Sequence, residues 1–260
     1  MTIKIGKIGI LGVGHLISYL VPGMLRGAIK PDILLSPRNQ EHATALAKNH
    51  GLEIAASNIE LVDTCDVIIL SVRPLQVKDA LQGLPWRADH KIISLVAGVT
   101  IAEISAFTKG ASITRALPVT AAKQGESPTT VYPQCEVTQS LFASCGPIIV
   151  LDNEDQFEVA TMFGAYYGWV QQLIGEMAEW ATDNNLSPEA ARLLACQMTR
   201  AAATTVRETP EKHVSALVEE LCLPGSITLL GLENLQNKDA FKPWHQAGDS
   251  VLRKLKSKTS

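Results

Sequence analysis

Short apolar runs alternate with helix-like stretches from the N-terminus to Leu151, and this alternation restricts the fold of the chain more than any other feature. The runs are Lys7–Leu11 (KIGIL), Asp32–Leu35 (DILL), Asp66–Val72 (DVIILSV), Lys91–Val96 (KIISLV), Ser112–Leu117 (SITRAL) and Pro147–Leu151 (PIIVL). Each is apolar without alternation, as strands of a sheet covered on both faces require. Intervening stretches such as Asn39–His50 are long enough for crossover helices. Residues 1–153 are therefore expected to form an α/β domain, a doubly wound sheet of Rossmann type.

After Asn153 no strand-like run remains, and Ala, Leu, Glu and Gln dominate. Residues 154–260 are expected to be all helical. A long helix should begin near Glu154 and run past Trp180. A second opens at Ser187-Pro188-Glu189, with Ser187 as N-cap and Pro188 at the first helical position, and Thr209-Pro210-Glu211 repeats the same start signal. Wide apolar arcs such as Leu193, Leu194, Ala195, Met198, Ala201 and Ala202 suit either a compact bundle or packing against a second copy of the chain. Lys254–Ser260 (KLKSKTS) reads as a solvated tail.

With 260 residues and a formal net charge of −3, the chain has no electrostatic reason to bind nucleic acid or an anionic membrane, and small-molecule chemistry is the expectation. The apolar run Ile8–Val13 is too short for a signal segment or a membrane span, which points to a cytoplasmic protein. Five scattered cysteines and six histidines show no ligand spacing, so no metal site is expected.

The first run leads into Gly12-Val13-Gly14-His15-Leu16. Gly12 permits a tight turn, and Gly14 lets the backbone approach a pyrophosphate seated on the free N–H groups of the helix that follows, His15 to Arg26. Ile17 stands where a third glycine would serve helix–strand packing. It should push the helix outward or be housed by small neighbours, altering the site without abolishing it. At the end of the second run, where a carboxylate would bind ribose hydroxyls, the chain carries Ser36, Arg38 and Asn39. All three can donate to a 2′-phosphate, which a carboxylate would repel, so NADP(H) is favoured over NAD(H). The alternative is a solvated arginine in a polar turn. Further on, Pro224-Gly225-Ser226-Ile227-Thr228 opens a helix that either holds an anion on the N–H groups of Ser226, Ile227 and Thr228 or is merely capped by Ser226 or Thr228. Glu176 and Glu179 read as a solvated face. Tyr166, Tyr167 and Trp169 read as core, interface or cavity wall.

These motifs resemble, over essentially the whole chain, the pyrroline-5-carboxylate reductases, NADPH-dependent enzymes of proline synthesis. KIGILGVGHL is similar to the family's opening strand and turn. SNIELVDTCDVIILSVRP resembles the segment in which Asn58 reaches the cofactor and Val72, Arg73 and Pro74 lie along it. SLVAGV resembles the turn beside the nicotinamide, with Ala97 and Gly98, and RALPVTAA resembles the family's Arg-x-x-Pro-Asn-Thr-Pro segment. LFASCGPIIVLDNEDQFE is similar to the run into the helical domain. LPGSITLLGLENL, Leu223 to Leu235, resembles the Ser-Pro-Gly-Gly-Thr-Thr motif that opens a helix over the substrate, its second threonine falling on Thr228.

The resemblance implies reduction of the C=N bond of 1-pyrroline-5-carboxylate to L-proline. It implies a cofactor site of Gly12, Val13, Gly14, His15, Leu16, Ser36, Arg38, Asn39, Asn58, Val72, Arg73, Pro74, Ala97 and Gly98. It also implies a substrate site of Gly225, Ser226, Ile227 and the catalytic Thr228, and a homodimer or higher oligomer built through the helical domain. Departures fall at Ile17, Val119, Ala121, Ser226 and Ile227, and at Gly164–Trp169 (GAYYGW). They keep two other readings open: a reductase of a different cyclic imine, or one using a deazaflavin, on the same fold; and a catalytically inactive NADP-binding regulatory protein.

Overall fold

The computed structural model describes residues 5–257. Eight strands form one sheet: β1 Ile8–Leu11, β2 Ile33–Leu35, β3 Glu53–Ile54, β4 Val67–Leu70, β5 Lys91–Ser94, β6 Ser112–Leu117, β7 Thr129–Tyr132 and β8 Ile148–Val150, in the order 3-2-1-4-5-6-7-8. Every neighbouring pair is parallel except β6 and β7. The connecting helices are α1 Ile17–Leu25, α2 Gln40–His50, α3 Asn58–Thr64, α4 Val77–Leu81, α5 Ile101–Ser105 and α6 Glu136–Phe142. The remainder is helical: α7 Glu154–Asp183, α8 Pro188–Glu208, α9 Val214–Glu219, α10 Ile227–Asn237 and α11 Lys242–Lys256. This is the doubly wound Rossmann architecture followed by helices.

The unbroken apolar runs have a direct cause in the pleat. Val67, Ile69 and Ile93 enter one core with Ile17, Leu20 and Met24 of α1, Leu46 of α2 and Phe142 of α6. Ile68, Leu70 and Ile92 enter the opposite core with Leu61 and Val62 of α3, Leu81 of α4 and Ile104 of α5. Alternate residues thus face alternate helical layers, and both faces need apolar side chains. The run at 147–151 departs from this rule: β8 is the edge strand, and Ile149 and Val150 are exposed.

The chain packs as two compact units. Among the described residues, a sheet unit extends to Gly164 and takes in 252–257, and a helical unit comprises Ala165–Val251. The first turns of α7 belong to the sheet unit, where Phe157 and Thr161 are buried.

In the helical unit Ser187 caps α8 as expected, its Oγ accepting the Ala190 N–H at 3.3 Å, with Pro188 in the first turn. Thr209 does not start a helix. Its hydroxyl donates back to the Thr205 carbonyl at 2.7 Å, making it the C-cap of α8, and the next helix waits for His213, whose Nδ1 accepts the Ser215 N–H. The apolar arcs of this unit stay largely open, with Trp180, Leu193 and Leu194 exposed and Met198 at 67% exposure. Lys254–Lys256 also departs from expectation: it completes α11, and Leu255 is half-buried. The last residues of that stretch, 258–260, lie outside the described residues.

Candidate active site

The strand order reverses beside β1, which has β2 on one side and β4 on the other. In open α/β sheets such a switch point is where ligands bind, beyond the carboxyl ends of the strands. Gly12 stands there with φ +100°, and a Cβ on it would lie 2.7 Å from the Ser71 carbonyl oxygen and 2.7 Å from Val72 Cγ1. The turn therefore requires glycine twice over, by conformation and by space. Gly14 is the opposite case: a Cβ there would meet nothing within 4 Å. The N–H groups of Val13, Gly14, His15 and Leu16 donate to no acceptor among the described residues, and no side chain caps α1. An open space before uncapped donors at a helix start suits a pyrophosphate.

Val13 is buried, so only its backbone faces this space, while His15 is exposed with its ring edge-on to Tyr19. Ile17 is fully buried in the core that also holds the small residues Ala43, Ala116 and Ala122.

Ser36 is 1% exposed, and its Oγ accepts the Gly12 N–H at 3.0 Å. It ties the glycine turn to the end of β2 by accepting through a lone pair, which leaves its own O–H as the donor expected of it. Arg38 and Asn39, two and three residues on, are exposed at the start of α2, and Arg38 forms no ion pair among the described residues. Asn58 begins α3 behind the Ser57 cap, and its Oδ1 is buried without a hydrogen-bond partner among the described residues. A buried acceptor left empty costs about 1–3 kcal/mol, so it is a natural place for a ligand hydroxyl. After β4, Val72 touches the glycine turn, Arg73 is exposed, and Pro74 starts a single 3-10 turn that leaves Leu75 91% exposed. Ala97 and Gly98 follow β5; Gly98 has φ +65° and is buried. The donors around Gly14, the Asn58 acceptor and the free Arg38 cation fit a dinucleotide carrying a 2′-phosphate.

In the helical unit, Gly225 (φ +80°) turns the chain into α10. Ser226 is the N-cap: its Oγ accepts the Leu229 N–H at 3.1 Å, and its own N–H donates to the Leu223 carbonyl at 2.9 Å. The expected trio of anion donors is thus a pair, the N–H groups of Ile227 and Thr228, which bond to nothing among the described residues. Thr228 is exposed, and its hydroxyl has no partner among the described residues. In the same unit Tyr166 and Trp169 stand edge-on to Trp244, and Trp169 and Glu176 line one apolar groove.

One cluster went unread in the sequence. Arg115 of β6 is fully buried, with Nη1 2.8 Å from Glu154 Oε1 and 2.6 Å from Glu158 Oε1, and its guanidinium lies 4.4 Å from the centroid of the Phe157 ring. A charge inside an otherwise apolar strand, followed by two glutamates four apart at a helix start, was the available signal.

Residues 7–98 match the family model described as NADP oxidoreductase coenzyme F420-dependent, and residues 154–257 match that for pyrroline-5-carboxylate reductase dimerisation. The chain is 27% identical over 244 residues to the pyrroline-5-carboxylate reductase of Escherichia coli (strain K12), covering 89% of this chain and 90% of the relative. It is 25% identical over 247 residues to that of Arabidopsis thaliana, covering 91% and 89%. Among solved structures, Plasmodium falciparum pyrroline carboxylate reductase with NADP bound shares the fold, with a TM-score of 0.87 at 24% identity over 98% of each chain. A glycine turn at the switch point of a doubly wound sheet, followed by a helical domain, defines a two-domain Rossmann oxidoreductase. Within that class, residues 154–257 match the pyrroline-5-carboxylate reductase dimerisation model, and the chain is similar to reductases of that name along about nine-tenths of its length.

Proposed function

We propose that the protein is an NADPH-dependent reductase that converts 1-pyrroline-5-carboxylate to L-proline. The observation that carries this reading is similarity along about nine-tenths of the chain to proteins named for that activity. Thr228, exposed at the start of α10 and without a hydrogen-bond partner among the described residues, supports it locally.

NADPH supplies the hydride when bound. The N–H groups at Val13–Leu16 hold its pyrophosphate, Arg38 and Asn39 its 2′-phosphate, and Asn58 Oδ1 accepts from a hydroxyl. The free N–H groups of Ile227 and Thr228, at the positive end of α10, hold the substrate carboxylate. The Thr228 hydroxyl hydrogen-bonds the ring nitrogen and fixes which face of the C=N carbon is presented. Orientation then accounts for much of the rate. No side chain has to serve as a tuned general acid, because the substrate can arrive as an iminium, already protonated. The open apolar arcs of the helical unit are covered by a second copy of the chain.

The deciding experiment is steady-state consumption of NADPH, with NADH in parallel, on addition of 1-pyrroline-5-carboxylate. A kcat/KM above about 10⁴ M⁻¹s⁻¹ is expected; NADPH binding without turnover would move the search to other imines. Ile227, apolar and 89% exposed beside the paired donors, favours one such second reading, an imine with an added apolar substituent. Thr228→Ala should remove one hydrogen bond to a charged group, about 1.5–3 kcal/mol, and lower kcat/KM roughly 10- to 150-fold. A fall of less than about threefold takes Thr228 out of the mechanism. Arg38→Ala should weaken NADPH far more than NADH, because only the former carries the 2′-phosphate; equal effects would show that the arginine is merely solvated.

A further inference from the structure

The five residues after Val96, Ala97–Ile101, are touched by both helices through which the chain leaves and re-enters the sheet unit. α7 begins in that unit and passes out of it at Gly164, and α11 brings the chain back at Leu252. On the outgoing side, Glu154 Oε1 accepts the Ile101 N–H at 2.9 Å while also pairing with Arg115 Nη1 at 2.8 Å. Its position is set by that buried guanidinium. On the returning side, the site of a Cβ on Gly98 lies 3.3 Å from Leu255 Cδ2 and 3.8 and 3.9 Å from the Leu255 carbonyl oxygen and Cα. Leu255 therefore rests directly on the glycine backbone, and any side chain at 98 would push it away.

Val99 is anchored in the second core and Ile101 packs against it, but the backbone on either side of Val99 is less fixed. Gly98 has a left-handed φ, which glycine reaches at small cost and leaves as readily. The capping box of α5, in which Thr100 and Glu103 exchange hydrogen bonds, secures the Thr100 and Glu103 N–H groups but not that of Ile101. Glu154 supplies the missing acceptor.

We propose that Leu255 and Glu154 are positioning residues that clamp the Ala97–Ile101 turn from two sides and so hold the pocket for the nicotinamide. This rests on the NADP(H) reading above and on the resemblance that implies Ala97 and Gly98 lie beside the nicotinamide. The clamp leaves the adenosine half of the site alone, since the 2′-phosphate of that half is held by Arg38 and Asn39.

The test titrates the native chain, Leu255→Ala and Leu255→Met with two probes. NADPH is followed by its reduced-nicotinamide fluorescence, and 2′,5′-ADP, the adenosine half alone, by calorimetry. Leu255→Ala is expected to weaken NADPH about tenfold and to lower its emission enhancement, while the Kd for 2′,5′-ADP stays within about twofold. Leu255→Met, which refills the contact, should restore NADPH binding. Should Leu255→Ala not fold, Leu255→Val shortens the same contact and carries the comparison. Equal losses for both probes, or no loss for either, overturn the proposal. A native chain that fails to bind NADPH removes the cofactor reading itself, and the clamp with it, before any variant is compared.

Discussion

Arg115→Leu is expected to destabilise the chain by about 3–5 kcal/mol, the range for deleting one partner of a buried ion pair. The arginine is fully buried, while the Glu154 and Glu158 side chains keep 30% and 15% exposure. Removing the cation leaves two carboxylates facing each other in a site too dry to solvate them both. Glu154 is the wetter of the two and loses less, so most of the penalty belongs to Glu158. The stacking of the guanidinium on Phe157 is lost as well, about 0.5–2 kcal/mol of the whole. Urea unfolding of the full chain measures the effect. Adding Glu158→Gln to Arg115→Leu should recover part of it, because the cost lies in the unpaired charge more than in the missing contact. A loss below about 1 kcal/mol would show that the cluster behaves like a surface ion pair.

Gly14→Val should leave the fold intact and lower NADPH affinity by roughly a hundredfold or more, about 2.7 kcal/mol. The position has no close neighbour and its φ is not in the left-handed range, so a side chain is accepted without strain. The added methyl groups would occupy the space before the N–H groups of Val13–Leu16, where the pyrophosphate must approach. Gly12→Val is the informative contrast, because its Cβ collides with the Ser71 carbonyl and Val72. That variant should lose stability and binding together. Isothermal titration with NADPH beside thermal melts separates the two failures. If Gly14→Val bound NADPH normally, the open space at the switch point would not be the pyrophosphate site.

The sheet was legible wherever a strand lies between two helical layers, because β4 is then apolar at all of its positions and β5 at its two central ones, Ile92 and Ile93. Two strands escaped that rule. β3 has only Glu53 and Ile54, both exposed, too short to carry a pattern. β7 reads TTVY, buried at alternate positions, a half-polar strand that a search for unbroken apolar runs passes over. The glycine turn was legible from spacing and context, but not the partners of Ser36: a serine at the end of a strand looks the same whether it faces a phosphate or the N–H of a neighbouring turn. Thr209 shows the same limit for helix starts, since its hydroxyl can bond forward as a cap or back to Thr205, and local sequence does not choose. Arg115 was overlooked because its partners lie 39 and 43 residues away, at 154 and 158, and only the fold brings them together.

The return of α11 to the sheet unit makes that unit discontinuous along the chain. A fragment ending at Gly164 would contain every strand and the whole glycine turn, yet it would lack the leucine that rests on Gly98. Limited proteolysis at a single site, or a gene split between the two halves, would therefore not release a complete nucleotide-binding module. Its missing part would travel with the other fragment, and the two would have to reassociate to restore it.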